Sequence, residues 1–329
     1  MKPAALVLLL ALAVPRALAA GSLVLPSWFT ETFLDFREDV ADAAKQRKRV
    51  MIYFGQEGCP YCKQLIEVNF SQKRIVDKAR ASLVSIPLDI WGDREVTWID
   101  GTRLPEKRFA AYLKIQFTPT LLFLDERGRV IARVNGYYPP HRLESVLDWV
   151  AGRMEDRVPL ADYLRTAAKE AASPALADEP FFLRPPYDLR RGGAKPLAVV
   201  FETPSCAGCD ELHREGFRRA DVRAALARFD VARFDLHDAT RVTTPGGETL
   251  AVVDWARSLG VSYTPSLVLF GPDGREALRI EAYVRPFHLA SALEYVASGA
   301  YRREPSFQRF VQERAAAMRG RGEAVDLWK

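Results

Sequence analysis

The spacing of apolar residues predicts a regular succession of helices and strands in the first half of the chain. Apolar side chains recur at helical spacing from Trp28 to Ala44, which predicts an amphipathic helix. Short apolar runs bounded by glycine or charged residues are typical of buried strands. The predicted elements are a helix at 28–47, a strand at 50–54, a helix at 60–79 that breaks near Ser71, a strand at 83–90, a loop at 91–102, a helix at 104–115, strands at 121–124 and 130–134, and a helix at 140–150. This order predicts a mixed sheet covered by helices.

The second half of the chain repeats this pattern. Matching pairs are the strands 50–54 and 197–201, the cysteine motifs 59–62 and 206–209, the segments 88–90 and 234–236, the Thr-Pro segments 117–120 and 263–266, and the turns 125–128 and 271–274. The offset is 147 residues at the cysteines and 146 from Asp89 and Asp235 onward, so one gap aligns the halves. The chain is therefore predicted to be a tandem duplication of one module.

Composition along the chain sets the expected boundaries. An alanine-rich helix is expected at 159–172, and the prolines and the Gly-Gly pair of 173–196 are typical of a linker. A further helix is expected at 301–319, with a packing partner that the sequence does not reveal. The predicted regions are a signal peptide at 1–19, a first module at 28–151, a helix and Pro/Gly-rich linker at 152–194, a second module at 195–298, and a C-terminal helical tail at 299–329.

The N-terminus has the pattern of a secretory signal peptide. Lys2 precedes an apolar run at 4–14, and small residues follow at 17–19, so cleavage is expected after Ala19. The run is too short to span a bilayer, and no later segment has the length and apolarity to do so. We therefore expect an exported, periplasmic protein without stable membrane insertion, in a compartment where disulfides persist.

Charge argues against a nucleic-acid partner. The formal net charge is +5, and removal of residues 1–19 takes away Lys2 and Arg16 but no acid, which leaves +3. The arginines that crowd the last thirty residues are mixed with acids, so they predict a solvated helix face rather than a basic binding patch.

The four cysteines form two Cys-x-x-Cys motifs, each placed where a predicted strand gives way to a helix. The start of a helix supplies partial positive charge and free N–H groups, which stabilise a thiolate on Cys59. Two thiols at this spacing can close a small disulfide ring. This arrangement favours disulfide exchange.

The first half of the chain resembles the SoxW-type periplasmic thioredoxins over roughly residues 28–151. The segments that carry the resemblance are 58–62, 91–97, 117–120 and 135–140. The second half, at about 195–298, is similar to thioredoxin-like modules only in its Cys-x-x-Cys motif, its Thr-Pro pair and its general layout. The resemblance implies an α/β fold of two tandem thioredoxin-like domains, each with a mixed central sheet flanked by helices.

The resemblance also implies a disulfide reductase of the cell envelope. Cys59 would be the nucleophile and Cys62 the resolving thiol, and Cys206 and Cys209 would have the same roles in the second half. A cis peptide bond before a proline would lie against the sulfurs and present backbone to a bound peptide. The residues expected to contact substrate are Pro60, Tyr61, Thr118, Pro119, Thr264 and Pro265.

Both halves depart from typical thioredoxins. Those proteins carry a buried acid six residues before the first cysteine, where this chain has Tyr53 and Val200. Glu57 and Glu202 could replace the acid, although we expect each to be an exposed glutamate ahead of its helix. The Pro-Tyr dipeptide of the first motif is the one usual in glutaredoxins, so the redox potential cannot be transferred from thioredoxin.

The cysteines could instead form one zinc site or two structural disulfides. Zinc ribbons space their knuckles by roughly 15–20 residues, whereas 143 residues separate Cys62 from Cys206. A two-residue ring restrains the unfolded chain little. His213 is expected to be a solvated helix residue. No metal site or cofactor is expected, since paired metal-ligand spacing is missing among His141, His213, His237 and His288.

These observations predict an exported thiol–disulfide oxidoreductase that reduces protein or small-molecule disulfides by dithiol exchange. A disulfide oxidase or isomerase would use the same residues. A thiol-binding protein of metal or haem maturation is a further alternative, although the additional His or Met ligands that we would expect are missing. A membrane reductase is a candidate electron donor, and electron transfer between the two cysteine pairs is a further hypothesis.

Overall fold

The computed structural model describes residues 23–167, 172–192 and 195–325. The predicted signal peptide lies outside these residues. Among the helices within them, none combines the length and the apolarity that crossing a bilayer requires.

The first module is a four-stranded mixed sheet with helices on both faces. Its strands lie in the order 83–89, 49–55, 120–124 and 130–135. The strand 49–55 runs parallel to 83–89 and antiparallel to 120–124. The segment predicted as a loop contains one strand of a short hairpin, β3–β4. The elements are α1 (Phe36–Lys45), β1 (Arg49–Gly55), α2 (Pro60–Gln64) with a π-helical turn (Leu65–Asn69), α3 (Lys73–Ser82), β2 (Leu83–Asp89), β3 (Glu95–Thr97), β4 (Arg103–Pro105), α4 (Glu106–Tyr112), β5 (Thr120–Leu124), β6 (Val130–Asn135) and α5 (Pro140–Ala151).

The second module has the same sheet, with its strands in the order 230–235, 197–202, 266–270 and 276–281. No helix equivalent to α1 precedes its first central strand in the described part of the chain. Between the modules lies α6 (Leu160–Ala167). The second module then contains β7 (Leu197–Glu202), α7 (Ala207–Glu211) with a π-helical turn (Leu212–Gly216), α8 (Ala220–Leu226), β8 (Asp230–Asp235), β9 (Arg241–Thr243), β10 (Thr249–Ala251), α9 (Val252–Leu259), β11 (Ser266–Phe270), β12 (Glu276–Glu281) and α10 (Pro286–Ala297), followed by α11 (Phe307–Gly320).

The prediction of a helix over 28–47 is wrong at its start, because α1 begins only at Phe36. The Asp35 side chain accepts a hydrogen bond from the N–H of Arg37 and caps the helix there. Ahead of it, residues 23–34 form an irregular arm, in which the Thr30 N–H donates a hydrogen bond to the Ser85 carbonyl of β2. Phe33, which fitted the helical pattern, is 99% exposed.

An equivalent second arm, residues 181–189, lies within the segment predicted as a linker. Leu183 N–H donates to the carbonyl of Val231 in β8, and Asp188 forms a bridge with Thr243. Val231 and Thr243 match Ser85 and Thr97, the partners of the first arm. Residues 181–189 therefore pack on the second module, and the repeat extends ahead of each sheet.

The two modules meet through reciprocal insertion of aromatic side chains. Phe117 is buried in the core of the second module, where its ring lies 5.2 Å from that of Phe307. Its counterpart Tyr263 is buried in the core of the first module and stacks on Tyr138 at 3.9 Å. Each ring removes apolar surface from water, which stabilises the pairing by about 2 kcal/mol per side chain.

Replacing Phe307 by Ala is expected to destabilise the folded protein by about 3–5 kcal/mol, because the side chain is fully buried and its loss leaves a cavity at the seam. Denaturant unfolding measures the change. Phe33→Ala is the matched control, since that ring is exposed. Equal effects of the two substitutions would contradict the interpretation of Phe307 as a core residue of the seam.

Candidate active site

The first cysteine pair lies where β1 leads into α2. Gly58 adopts a φ of 69°, which favours glycine, and turns the chain toward the helix. Cys59 and Cys62 form a disulfide, and the N–H of Cys62 donates to the Cys59 sulfur at 3.1 Å. Cys59 is 7% exposed. The same helix-start N–H would stabilise a thiolate on Cys59 after reduction.

The second pair has the same geometry. Cys206 and Cys209 form a disulfide, and the N–H of Cys209 donates to the Cys206 sulfur at 3.1 Å. Ser205 takes the left-handed conformation of Gly58, with a φ of 58°. Cys206 is 3% exposed. The duplication has thus kept the helix-start position of both sulfurs.

A proline loop accompanies each pair, and both Thr-Pro peptide bonds are cis. The sulfur of Cys59 lies 3.4 Å from the Thr118 carbonyl oxygen, so the first loop touches the disulfide. Pro119 and Pro265 are both buried. In the second loop the Thr264 hydroxyl hydrogen-bonds that of Thr203 at 2.9 Å.

The residues predicted to contact substrate lie in two places, a cleft between the modules and the buried surroundings of Cys59. Tyr61 and Pro265 line one cleft of about 490 Å³ between the modules, together with Ala207 and Gly208 of the second motif. The Tyr61 hydroxyl accepts a hydrogen bond from the Arg285 N–H at 2.8 Å. The dipeptides of both cysteine motifs therefore border the same space, although they belong to different modules. Pro60 is partly exposed, and Thr118 and Pro119 are buried beside Cys59.

The strand that precedes each cysteine pair carries different side chains in the two modules. In the first module Tyr53 is buried, and its hydroxyl occupies the space that a Cβ on Gly55 would need. In the second module the matching positions hold Val200 and Glu202, so a carboxylate replaces the phenol. Burial raises the pKa of Tyr53 well above its ordinary value, so this hydroxyl stays protonated.

The expectation of an exposed glutamate ahead of the helix holds for Glu57 but is wrong for Glu202, which is 1% exposed. Glu202 accepts a hydrogen bond from His213 Nε2 at 3.0 Å. The Nδ1 of the same ring lies 2.9 Å from Glu179, just ahead of the second arm. The prediction of a solvated His213 is therefore also wrong, since it is 7% exposed between two carboxylates.

Two opposing effects act on His213. Burial lowers the pKa of the imidazole, but the hydrogen bonds and negative charges of Glu202 and Glu179 outweigh it and raise the pKa above its ordinary value. The cluster fastens the segment just ahead of the arm to β7 and to the π-helical turn after α7, which contains His213. Local sequence signals could not reveal it, because Glu179 lies 34 positions before its partner.

Disulfides within each module separate the cysteines into two pairs, which argues against one four-thiolate zinc site. Across residues 23–167, 172–192 and 195–325, the structure has no group of three or more His, Cys, Asp or Glu side chains suited to hold a metal ion.

Two helix-start disulfides, each beside a cis-proline loop on a mixed sheet, define a thioredoxin-type centre in each module. The profile of the thioredoxin-like domain family matches residues 36–151 and again 188–297, which together make up more than half of the chain. The chain belongs to this family, and the prediction of two tandem thioredoxin-like modules is confirmed.

Three solved structures with a similar fold each match part of the chain. A thioredoxin-fold protein from Helicobacter pylori is 20% identical over 41% of this chain and 91% of its own, with a TM-score of 0.32. A thioredoxin from Thermus thermophilus is 25% identical over 35% and 83%, with a TM-score of 0.28. The periplasmic thioredoxin SoxS from Paracoccus pantotrophus is 20% identical over 32% and 98%, with a TM-score of 0.23. No curated protein matches the chain.

His213→Gln is expected to destabilise the protein most below about pH 6.5 and less at higher pH. The raised pKa means that the folded state binds the proton more tightly than the unfolded chain does. This stabilisation is complete below the unfolded-state pKa and is lost as pH rises through the folded-state pKa. Unfolding free energies from about pH 5 to about pH 9 measure it.

His141→Gln, at an exposed position on α5, controls for the removal of an imidazole. A stability difference between wild type and His213→Gln that stayed constant, or grew, with rising pH would show that the carboxylates do not hold a protonated ring.

Proposed function

We propose that this protein is a thiol–disulfide oxidoreductase that reduces protein disulfides. The observation that carries the proposal is the Cys62 N–H aimed at the Cys59 sulfur. This geometry supports a thiolate on the first cysteine and keeps the second within reach of it. The family membership supports the same chemistry.

In the proposed reaction, the Cys59 thiolate attacks one sulfur of a substrate disulfide. A mixed disulfide forms, and the other substrate sulfur leaves as a thiolate. Cys62, deprotonated, then attacks the Cys59 sulfur, forms the intramolecular disulfide and releases the second substrate thiolate. Two electrons pass to the substrate, and its two thiolates take up the protons that the cysteines lose. Cys206 and Cys209 would react in the same way.

We also propose that the protein is exported to the periplasm, which the signal-like residues 1–19 support. A donor of two electrons must then reduce the disulfides again, and a membrane reductase is the class we propose. Cell fractionation with an antibody against the mature chain tests the location, and recovery in the cytosol with residues 1–19 intact would contradict it.

Cys62→Ser is expected to accumulate mixed disulfides with substrate proteins, because the resolving thiol is gone while the attacking one remains. Trapping followed by non-reducing electrophoresis detects them. Cys59→Ser is the control, since it removes the attacking thiol. If the first pair acts as proposed, adducts form with Cys62→Ser and not with Cys59→Ser; absence of adducts in both would contradict the mechanism.

The potential of each pair distinguishes a reductant from an oxidant. We expect values nearer to about −270 mV than to about −120 mV, the potentials of a reducing and an oxidising dithiol protein. Equilibration with glutathione or dithiothreitol buffers measures each pair separately in Cys59→Ser/Cys62→Ser and Cys206→Ser/Cys209→Ser variants. A value near the oxidising end would favour the oxidase or isomerase alternative instead. The difference between the two values gives the direction of any electron transfer between the pairs.

A further inference from the structure

The helix that follows each module packs on that module's own last helix, and its start also reaches the other module. Helix α11 follows the second module, and its first turn contacts the rim of the first cysteine site. Helix α6 follows the first module at a matching position, 147 residues earlier, and lies beside the second site. Leu160 is buried in one core cluster with Tyr263, just as Phe307 lies against Phe117.

The polar contacts of the two helices also correspond. Arg309 lies with its guanidinium 5.6 Å from the ring centre of Trp91, in the loop after β2. Asp162, the counterpart of Arg309, lies 3.8 Å from His237, which is the counterpart of Trp91. Contact of the trailing helix with the other module is therefore a property of the duplicated fold and not of one residue pair.

At the first site, Gln308 joins α11 to the proline loop. Its side-chain amide donates to the Gln116 carbonyl at 3.0 Å and accepts from Gln56 Nε2 at 2.8 Å. Gln56 Nε2 also donates to the Thr118 hydroxyl at 2.9 Å. The Gln56 Oε1 accepts a hydrogen bond from Trp91 Nε1 at 2.6 Å, so both donors and the carbonyl oxygen of this amide are engaged.

The second site does not need such a bridge. Thr203 takes the place of Gln56, and its hydroxyl reaches Thr264 directly. The two sites are thus unequal: the Thr118 hydroxyl is joined through Gln56 to a side chain from the other module, whereas the Thr264 hydroxyl bonds a residue of its own module.

We propose that Gln308 is a positioning residue for the first redox site, so that substrate binding at Cys59 depends on the second module. The inference rests on the proposed function. Gln308 acts through Gln56 and Thr118, whose backbone lies against the disulfide and would face a bound substrate. The second pair works without this residue.

The test compares Gln308→Ala with Gln312→Ala in full-length protein. Gln312 is the matched control, since it is the same residue type on an exposed position of the same helix. In a Cys206→Ser/Cys209→Ser background, Gln308→Ala should raise the KM for insulin reduction about three- to tenfold, the effect of one or two hydrogen bonds, with kcat changed less than about twofold. In the Cys59→Ser/Cys62→Ser background it should change neither.

Gln308→Glu is expected to have an intermediate effect on KM. It keeps the acceptor for Gln56 and loses the donor to Gln116, so its KM should fall between those of wild type and Gln308→Ala. A purely structural role would instead lower the thermal stability of all variants and change both sites together.

A readout independent of turnover separates this inference from the proposed function. The Thr118 carbonyl oxygen opposes negative charge on Cys59, so release of the loop should shift alkylation of reduced Cys59 by iodoacetamide to lower pH in Gln308→Ala than in Gln312→Ala. A shifted profile in a protein that reduces nothing would support the positioning role and overturn only the reductase proposal. Identical profiles, or equal KM changes at both sites, would overturn the inference.

Discussion

Burial of one aromatic ring from each module in the core of the other is the interaction on which the rest of the structure depends. Phe117 and Tyr263 each stand one residue ahead of a Thr-Pro pair, so the ring that joins the modules and the loop beside the sulfurs are neighbours in sequence. Any separation of the modules would therefore disturb both proline loops. The seam and the redox sites are one structural unit.

A second contact follows from the same geometry. The ends of β6 and β12 meet, where the buried Glu281 accepts a hydrogen bond from Asn135, its counterpart in the other module, at 2.9 Å. Burial raises the pKa of Glu281 despite the opposing Arg279 and Asn135. Since β6 runs parallel to β1, and β12 to β7, both cysteine pairs lie at the end of the sheet where the modules touch.

The sequence was sufficient to predict the features that are encoded locally. Short apolar runs and helical spacing revealed the strands and most helices, and a single gap aligned the repeat, because each module forms these elements with its own residues. The helix start was missed, although Asp35 is a readable N-cap, since the apolar spacing continued through the arm. The burial of His213 and Glu202 was not predicted, because Glu179, the other partner of His213, folds back from a segment that looked like a linker. The contacts of α6 and α11 with the opposite module join residues far apart in the sequence, so apolar spacing alone could not reveal them.

The reciprocal insertion of Phe117 and Tyr263 is the arrangement that two identical subunits would form around a twofold axis. Two separate subunits would pair only above a certain protein concentration, and dilution would expose both seams. A single chain that carries both halves keeps them together at any dilution, because the partner is held at a high effective concentration. It also frees equivalent positions to differ, since a substitution in one half is no longer imposed on the other. Gln56 and Thr203, or Tyr53 and Val200, are differences that a homodimer could not have.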